Sequence, residues 1–299
     1  MESLCSCIGL HCNSPVIEAA DRRNASKDRV MVFARWSEVK VPVIGMLHAP
    51  PLPGSAGFRG DFPEIVRFVC RDAIALRDGG VDGLMLENFG DTPFFPDRVP
   101  SVTVAAMTAL AVAVHQETDL PLGINVLRND GRSALAIAAV CGAQFIRVNV
   151  LAGARVTDQG IVQGIAHDLL RERTALNCQH IRIMADVDVK HSAPLAHRSI
   201  DIETKDLVER AHADVIIVSG QTTGDPTDAD QLSMVTEAAG SVPVFVGSGV
   251  TAANVAELVN AGAQGLIVGS SLKHELRLNS PIDVDRVRRL IEATRTARS

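Results

Sequence analysis

A chain of 299 residues is long enough for one large domain or two ordinary ones, and 46% hydrophobic content supplies a core. Aromatic residues make up only 3%, with no Tyr and a single Trp, which argues against a stacking platform for a nucleic-acid polymer. A net charge of −6 gives no general attraction to polyanions or anionic membranes, and no apolar run approaches the ~18 residues of a membrane span.

Residues 1–37 read as a flexible N-terminal extension with mixed charges. Cys5, Cys7 and Cys12 lie there in a C-x-C-x4-C spacing beside His11, unlike the C-x2-C of structural zinc sites. Neither a secretory signal nor a transit peptide emerges; the expected location is a reducing cytoplasm, with an organelle address left open. Cys70, Cys141 and Cys178 are isolated in apolar contexts and read as buried free thiols.

From residue 38 to 299 one unit repeats: a short apolar run, a polar loop, an amphipathic helix, then a glycine before the next run. Strands are expected at 42–48, 83–88, 121–127, 145–150, 182–189, 215–220, 243–247 and 265–269. Helices are expected at 62–78, 101–117, 132–141, 159–174, 203–212, 229–239 and 252–261, with a last one at 284–297. Val- and Ile-rich runs without polar alternation fit strands covered on both faces. Pro63 after Asp61, Ser101, Asp201 and Thr251 mark helix starts, while Gly79-Gly80, Gly142, Gly240 and Gly262 mark stops. Eight such units in one domain predict a (β/α)8 TIM barrel. A doubly wound sheet would leave two units unused, and no G-x-G-x-x-G follows the first strand.

A barrel gathers its chemistry at the C-terminal ends of its strands. Those ends read His48, Glu87-Asn88, Asn125, Arg147 with Asn149, Asp186/Asp188/Lys190, Ser219-Gly220, Gly247-Ser248-Gly249 and Gly269-Ser270-Ser271. The run RIMADVDVKH (182–191) is the most pointed of them, because charges embedded in an apolar strand are costly without a use. Residues two apart share a face, so Asp186, Asp188 and Lys190 fall together if the strand persists, as do Arg147 and Asn149. Crowded carboxylates raise one another's pKa and give an acid–base candidate in Asp186 or Glu87, with Asp188 beside them. Lys190 also has the chemistry of a Schiff-base nucleophile, though the plainer alternative is a solvent-facing pair with Asp188.

The turns VSGQTTG (218–224), VGSGV (246–250) and VGSSL (268–272) bring small residues whose amides approach an anion closely. Ser248, Gly249, Ser270 and Ser271 are therefore expected to cradle a phosphate, with Arg147 and Lys190 stabilising negative charge. His48, Glu87, Asp186, Asp188 and His191 offer ligands for a divalent metal, but their spacing does not demand one. The plainer account of His115, His167, His180, His197 and His212 is surface or packing.

The segments GMLHAPPLPGS (45–55), DGGVDGLMLENFGDTPF (78–94) and ADVDVKHSAPL (185–195) resemble the BtpA/SgcQ family, over about residues 38–295. That resemblance implies a TIM barrel of the ribulose-phosphate-binding kind. Cyanobacterial relatives are linked to biogenesis or stabilisation of photosystem I at the thylakoid membrane, while relatives in organisms without a photosystem are treated as enzymes. The expected function is thus an enzyme acting on a small phosphorylated metabolite, a sugar phosphate or nucleotide-like compound. The alternative is a non-catalytic biogenesis or stability factor for a membrane complex, with peripheral membrane association. A homo-oligomer fits either. Two long loops, 48–61 and 87–100, border the expected opening, the second carrying Phe89, Phe94 and Phe95 as ligand caps, subunit contacts or a plug.

Overall fold

A computed structural model describes residues 34–220, 227–277 and 279–297. A 3-10 turn, Ala34–Trp36, leads into β1 (Val43–His48), α1 (Phe62–Gly79), β2 (Gly83–Glu87), α2 (Ser101–Glu117), β3 (Leu122–Asn125), α3 (Gly131–Cys141) and β4 (Phe145–Val148). A hairpin of β5 (Ala154–Thr157) and β6 (Gly160–Gln163) follows, then α4 (Ala166–Ala175), β7 (Arg182–Asp186) and β8 (Ser192–Pro194). The chain continues through α5 (Ile200–Lys205), a π-helical turn (Asp206–Arg210), β9 (Val215–Val218), α6 (Ala229–Ala239), β10 (Val244–Val246), α7 (Val255–Asn260), β11 (Gly265–Val268) and α8 (Val284–Ala297). Eight parallel strands close in the order β1-β2-β3-β4-β7-β9-β10-β11, with β11 returning to β1, as the (β/α)8 expectation required. No helix of the described residues is long and apolar enough to cross a membrane.

Two apolar compartments hold the barrel. The larger lies between strands and helices. The smaller fills the barrel's interior with Ile44, Met46, Met85, Phe145, Met184, Val215, Ile217, Phe245 and Ile267. Space for the two phenylalanines comes from glycine: a Cβ on Gly123 would stand 2.0 Å from the Phe145 ring, and one on Gly265 2.4 Å from that of Phe245. Trp36 closes the bottom, its ring centroid 6.3 Å from each of those rings and its Nε1 donating to the Asp82 carbonyl. This corrects the boundary drawn at 37: Trp36 belongs to the barrel. Cys5, Cys7, Cys12 and His11 lie outside the described residues.

β1 ends at His48 as expected, while the other seven barrel strands end one to three residues earlier than their apolar runs suggest, because the last residues of those runs turn into the βα loop. Residues 159–163 form hairpin rather than helix, and the helix expected at 203–212 is instead α5 (Ile200–Lys205) followed by the π-helical turn. Gly160, at φ 98°, supplies the left-handed turn, and alternation sends Arg155 and Val162 inward and Val156 and Ile161 outward. Among the helix starts, Asp61 caps α1 by accepting from the Glu64 amide at 2.9 Å. Asp201 sits in the first turn of α5 behind Ser199, and Thr251 forms a turn with Asn254, which precedes α7. Of the three internal cysteines only Cys178 is fully buried; Cys70 and Cys141 are half-buried.

The segment after β11 is tied to α1 by a buried ion pair. Lys273, with no exposed surface, donates to Asp72 at 2.7 Å, and the other Asp72 oxygen accepts from the Ile282 amide at 3.0 Å. Removing one partner strands a buried charge, which costs about 3–5 kcal/mol. Chemical denaturation of Asp72→Ala is expected to show that loss, and Asp72→Leu with Lys273→Met to recover part of it. A loss under about 1 kcal/mol in the single variant would contradict this role.

Candidate functional site

Alternation along the strands builds the floor of the mouth. Two residues beyond each interior position stands a residue of a second, polar layer: His48 above Met46, Glu87 above Met85, Asn125 above Gly123, Arg147 above Phe145. Asp186, Ser219, Gly247 and Gly269 complete the ring above Met184, Ile217, Phe245 and Ile267. All eight are among the residues the sequence singled out. The two glycines leave room for their neighbours. A Cβ on Gly247 would stand 3.0 Å from the Ser219 hydroxyl and 3.5 Å from the Arg147 guanidinium, and one on Gly269 2.7 Å from the His48 ring.

Arg147 and Asp186 form a bidentate pair, Nε to Oδ2 at 2.9 Å and Nη2 to Oδ1 at 2.7 Å, and Asn149 donates to the same carboxylate at 2.8 Å. The Asp186 side chain has no exposed surface. Its oxygens are therefore engaged, and it borders a neighbouring cavity of about 330 Å³ instead of the mouth, a placement that suits a structural role better than that of the reacting acid or base.

Glu87 is better placed. It is buried, lines a cavity of about 470 Å³ and accepts from Asn125. Burial pushes its carboxyl above the ordinary range, against the pull of Arg147, Lys190 and the Asn125 hydrogen bond. His48 lies 3.8 Å away, and burial, with the charges of Lys273, Lys190 and Arg147, brings its imidazole down to about 3. At neutral pH the imidazole is neutral, and the contact with Glu87 is too long for a hydrogen bond. The His48 ring packs on Phe89, with centroids 4.8 Å apart.

Lys190 is not the solvent-facing partner of Asp188. Its Nζ donates to the Gly247 carbonyl at 3.0 Å inside the cavity, and burial followed by the Arg147 charge lowers its pKa to about 8. Asp188 leaves the cluster altogether: β7 stops at Asp186, alternation lapses, and Asp188 accepts from Arg155 at 2.8 Å outside the mouth. Arg155 also binds Glu203 and the Val187 carbonyl, pinning the inserted hairpin to the β7 loop. Among the described residues no group of three or more His, Cys, Asp or Glu side chains converges as metal ligands.

The turns after β10 and β11 border the cavity with Gly247, Ser248, Gly249, Gly269, Ser270 and Ser271. Ser271 donates to the Val250 carbonyl at 2.7 Å, so it ties the two turns together instead of presenting a free hydroxyl. Residues 221–226 of the third glycine-rich turn lie outside the described residues, and Gly220 does not border the cavity. Asn88 is spent on structure, accepting from the Leu127 amide at 2.7 Å and donating to Asp91 at 3.1 Å. Asn125 reaches the mouth only through Glu87, and the Ser219 hydroxyl is buried outside it without a partner. Phe89 and Phe94 line the cavity, whereas Phe95 is 48% exposed. The polar cavity residues that sequence reasoning missed are Thr92, Arg128 and Asp158; Arg128 lies in a loop whose turn-like composition (Arg128-Asn129-Asp130-Gly131) concealed it.

With the geometry in hand, comparison with known proteins is informative. The model of the BtpA family matches residues 39–296. The photosystem I biogenesis protein BtpA of Synechocystis sp. is 47% identical over 252 residues, covering 84% of this chain and 87% of that relative. An uncharacterised protein of Thermococcus kodakarensis is 45% identical over 259 residues, 86% of this chain and 96% of its own length. Among solved structures, Mycobacterium tuberculosis tryptophan synthase matches with TM-score 0.58 at 16% identity, covering 90% of this chain and 98% of that one. Thiamine phosphate pyrophosphorylase from Pyrococcus furiosus matches with TM-score 0.53 at 12% identity, covering 87% and 98%. At such identities the structural matches establish the fold alone.

The buried imidazole gives a direct test. With its pKa moved from 6.5 to about 3, His48 favours stability above pH 6.5, a contribution lost as pH falls toward 3. Glu87, shifted upward, works with the opposite sign from pH 4.5 up to its folded value. Nitrogen-15 NMR is expected to find His48 neutral at about pH 5; a midpoint near 6.5 would contradict the geometry.

Proposed function

The chain belongs to the BtpA family, and from that premise we propose that its barrel mouth binds a small phosphorylated metabolite and moves a proton on it through Glu87. The observation that carries this reading is a buried carboxyl of raised pKa facing a 470 Å³ cavity that also holds Lys190 and two glycine–serine turns. A carboxyl whose pKa burial raises serves a general acid or base better than one locked in an ion pair. Amides of the Ser248-Gly249 and Gly269-Ser270 turns, on the seventh and eighth barrel strands, would receive the phosphate, the usual anion cradle of this architecture. Lys190 and the Nη1 edge of Arg147 not used by Asp186 would stabilise negative charge developing on the substrate. Phe89 and Phe94 would exclude water from the reacting carbon. Isomerisation, epimerisation and aldol-type cleavage of a sugar phosphate all use these groups.

A second reading has its own observation. The 47% identical Synechocystis relative is by name a photosystem I biogenesis protein, and this likeness is far closer than that to any of the enzymes, which share only the fold. The comparisons thus favour a biogenesis factor, for which the barrel is a binding scaffold; the mouth's geometry favours ligand chemistry. The two separate at Glu87, because a scaffold does not need a proton-transfer group.

A thermal-shift panel of phosphorylated metabolites is expected to show stabilisation that Ser270→Asp abolishes. Turnover of a stabilising compound should fall about 10²- to 10⁴-fold in Glu87→Gln. No response to any phosphate compound, together with full restoration of photosystem I by Glu87→Gln in a photosynthetic host lacking its own relative, would establish the second reading instead.

A further inference from the structure

Arg128 is 7% exposed, borders the mouth cavity, and has no carboxylate oxygen within 4.0 Å among the described residues. Among the described residues its guanidinium makes one hydrogen bond, from Nη2 to the Lys190 carbonyl, and its Nε is buried with no partner. The position is fixed. The Arg128 amide donates to the Phe95 carbonyl at 3.1 Å, Asn129 exchanges hydrogen bonds with Val150 at 2.8 and 2.9 Å, and Asp130 accepts from the Val99 amide at 2.9 Å while capping α3. The charges of Asp186, of Asp158 on the exposed turn of the hairpin and of Glu87 bear on it without any of them forming an ion pair with it.

Contrast this with the other buried arginines. Arg147 has Asp186, and Arg155 has Asp188 and Glu203. A guanidinium removed from water and satisfied by one carbonyl carries a desolvation penalty that folding does not offset, so its retention calls for an anion from elsewhere. Lys190 is in a similar condition: half-buried, bonded to a carbonyl, and without a carboxylate within 4.0 Å among the described residues.

Topology places Arg128 relative to the phosphate cradle. It follows β3, and the Gly247-Ser248-Gly249 turn follows β10, four strands away around a ring of eight. The two features therefore face each other across the mouth. Lys190 spans the interval, its Nζ on the Gly247 carbonyl and its own carbonyl on Arg128.

We infer that the mouth takes a compound with two anionic groups, a phosphate at the β10 and β11 turns and a carboxylate or second phosphate at Arg128, with the bond to be changed lying between them near Glu87. This names a substrate class within the proposed phosphate site and rests on that proposal. Glycerol 3-phosphate, with one anionic group, 3-phosphoglycerate, with a carboxylate added, and propane-1,3-diol bisphosphate, with a second phosphate, form the test series. Calorimetry on the full chain is expected to find at least one of the two-anion compounds about tenfold tighter than glycerol 3-phosphate, and its identity tells carboxylate from phosphate. Arg128→Met should erase that advantage while leaving glycerol 3-phosphate within about twofold, and Arg128→Lys should keep part of it. The melting temperature of Arg128→Met should hold or rise, since an unpaired buried charge is lost. Equal binding of all three compounds, or equal weakening of all three by Arg128→Met, overturns the inference but leaves the phosphate site standing. No binding of any overturns both.

Discussion

An arginine and an aspartate sealed inside a barrel must satisfy each other, and the Arg147–Asp186 pair does so with two hydrogen bonds and a third from Asn149. The rest of the mouth is arranged around this constraint. Burial keeps His48 neutral and pushes the Glu87 carboxyl up, the latter against the pull of Arg147, which the Asp186 charge only partly offsets. Gly247 is small because a Cβ there would stand 2.6 Å from Ile217 Cγ2 and 3.0 Å from the Ser219 hydroxyl. Replacing either partner of the Arg147–Asp186 pair would leave a buried charge without its hydrogen-bonded counter-ion.

Above that pair, functions divide by side of the barrel. The β1 and β2 ends supply the carboxyl and imidazole, both biased toward neutrality. The β10 and β11 turns supply backbone and hydroxyl groups, tied together by Ser271. Between them Lys190, with a pKa of about 8, provides a charge that ordinary conditions can change. Family membership and this geometry are compatible: a barrel that senses or transforms a metabolite can also serve the assembly of a larger complex. What links this chain to its Synechocystis relative is sequence likeness along most of the barrel, not a shared reaction.

Much of the fold was legible because parallel strands covered on both faces leave uninterrupted Val and Ile runs, and because αL glycines such as Gly80 and Gly142 end helices visibly. The polar layer was legible for a related reason, since a charge two residues beyond an interior position must sit at the strand end. Asp188 shows where that logic stops. Alternation extrapolated past Asp186 puts it in the cluster, but the strand ends there and Arg155, on an inserted hairpin, draws it away. That hairpin escaped notice because two strands of four residues carry too little periodicity to compete with the helix following them. Arg128 escaped for the opposite reason: its importance is the absence of a partner, and a sequence does not show what fails to pair.

The account rests on Glu87 being a carboxyl that burial, rather than pairing, controls. Carbon-13 NMR titration of the Glu87 carboxyl in the full chain measures this directly. The structure predicts a midpoint clearly above the ordinary 4.5. A midpoint at or below that value would mean that Arg147 and Lys190 dominate, and that the mouth holds a fixed carboxylate instead of a proton-transfer group.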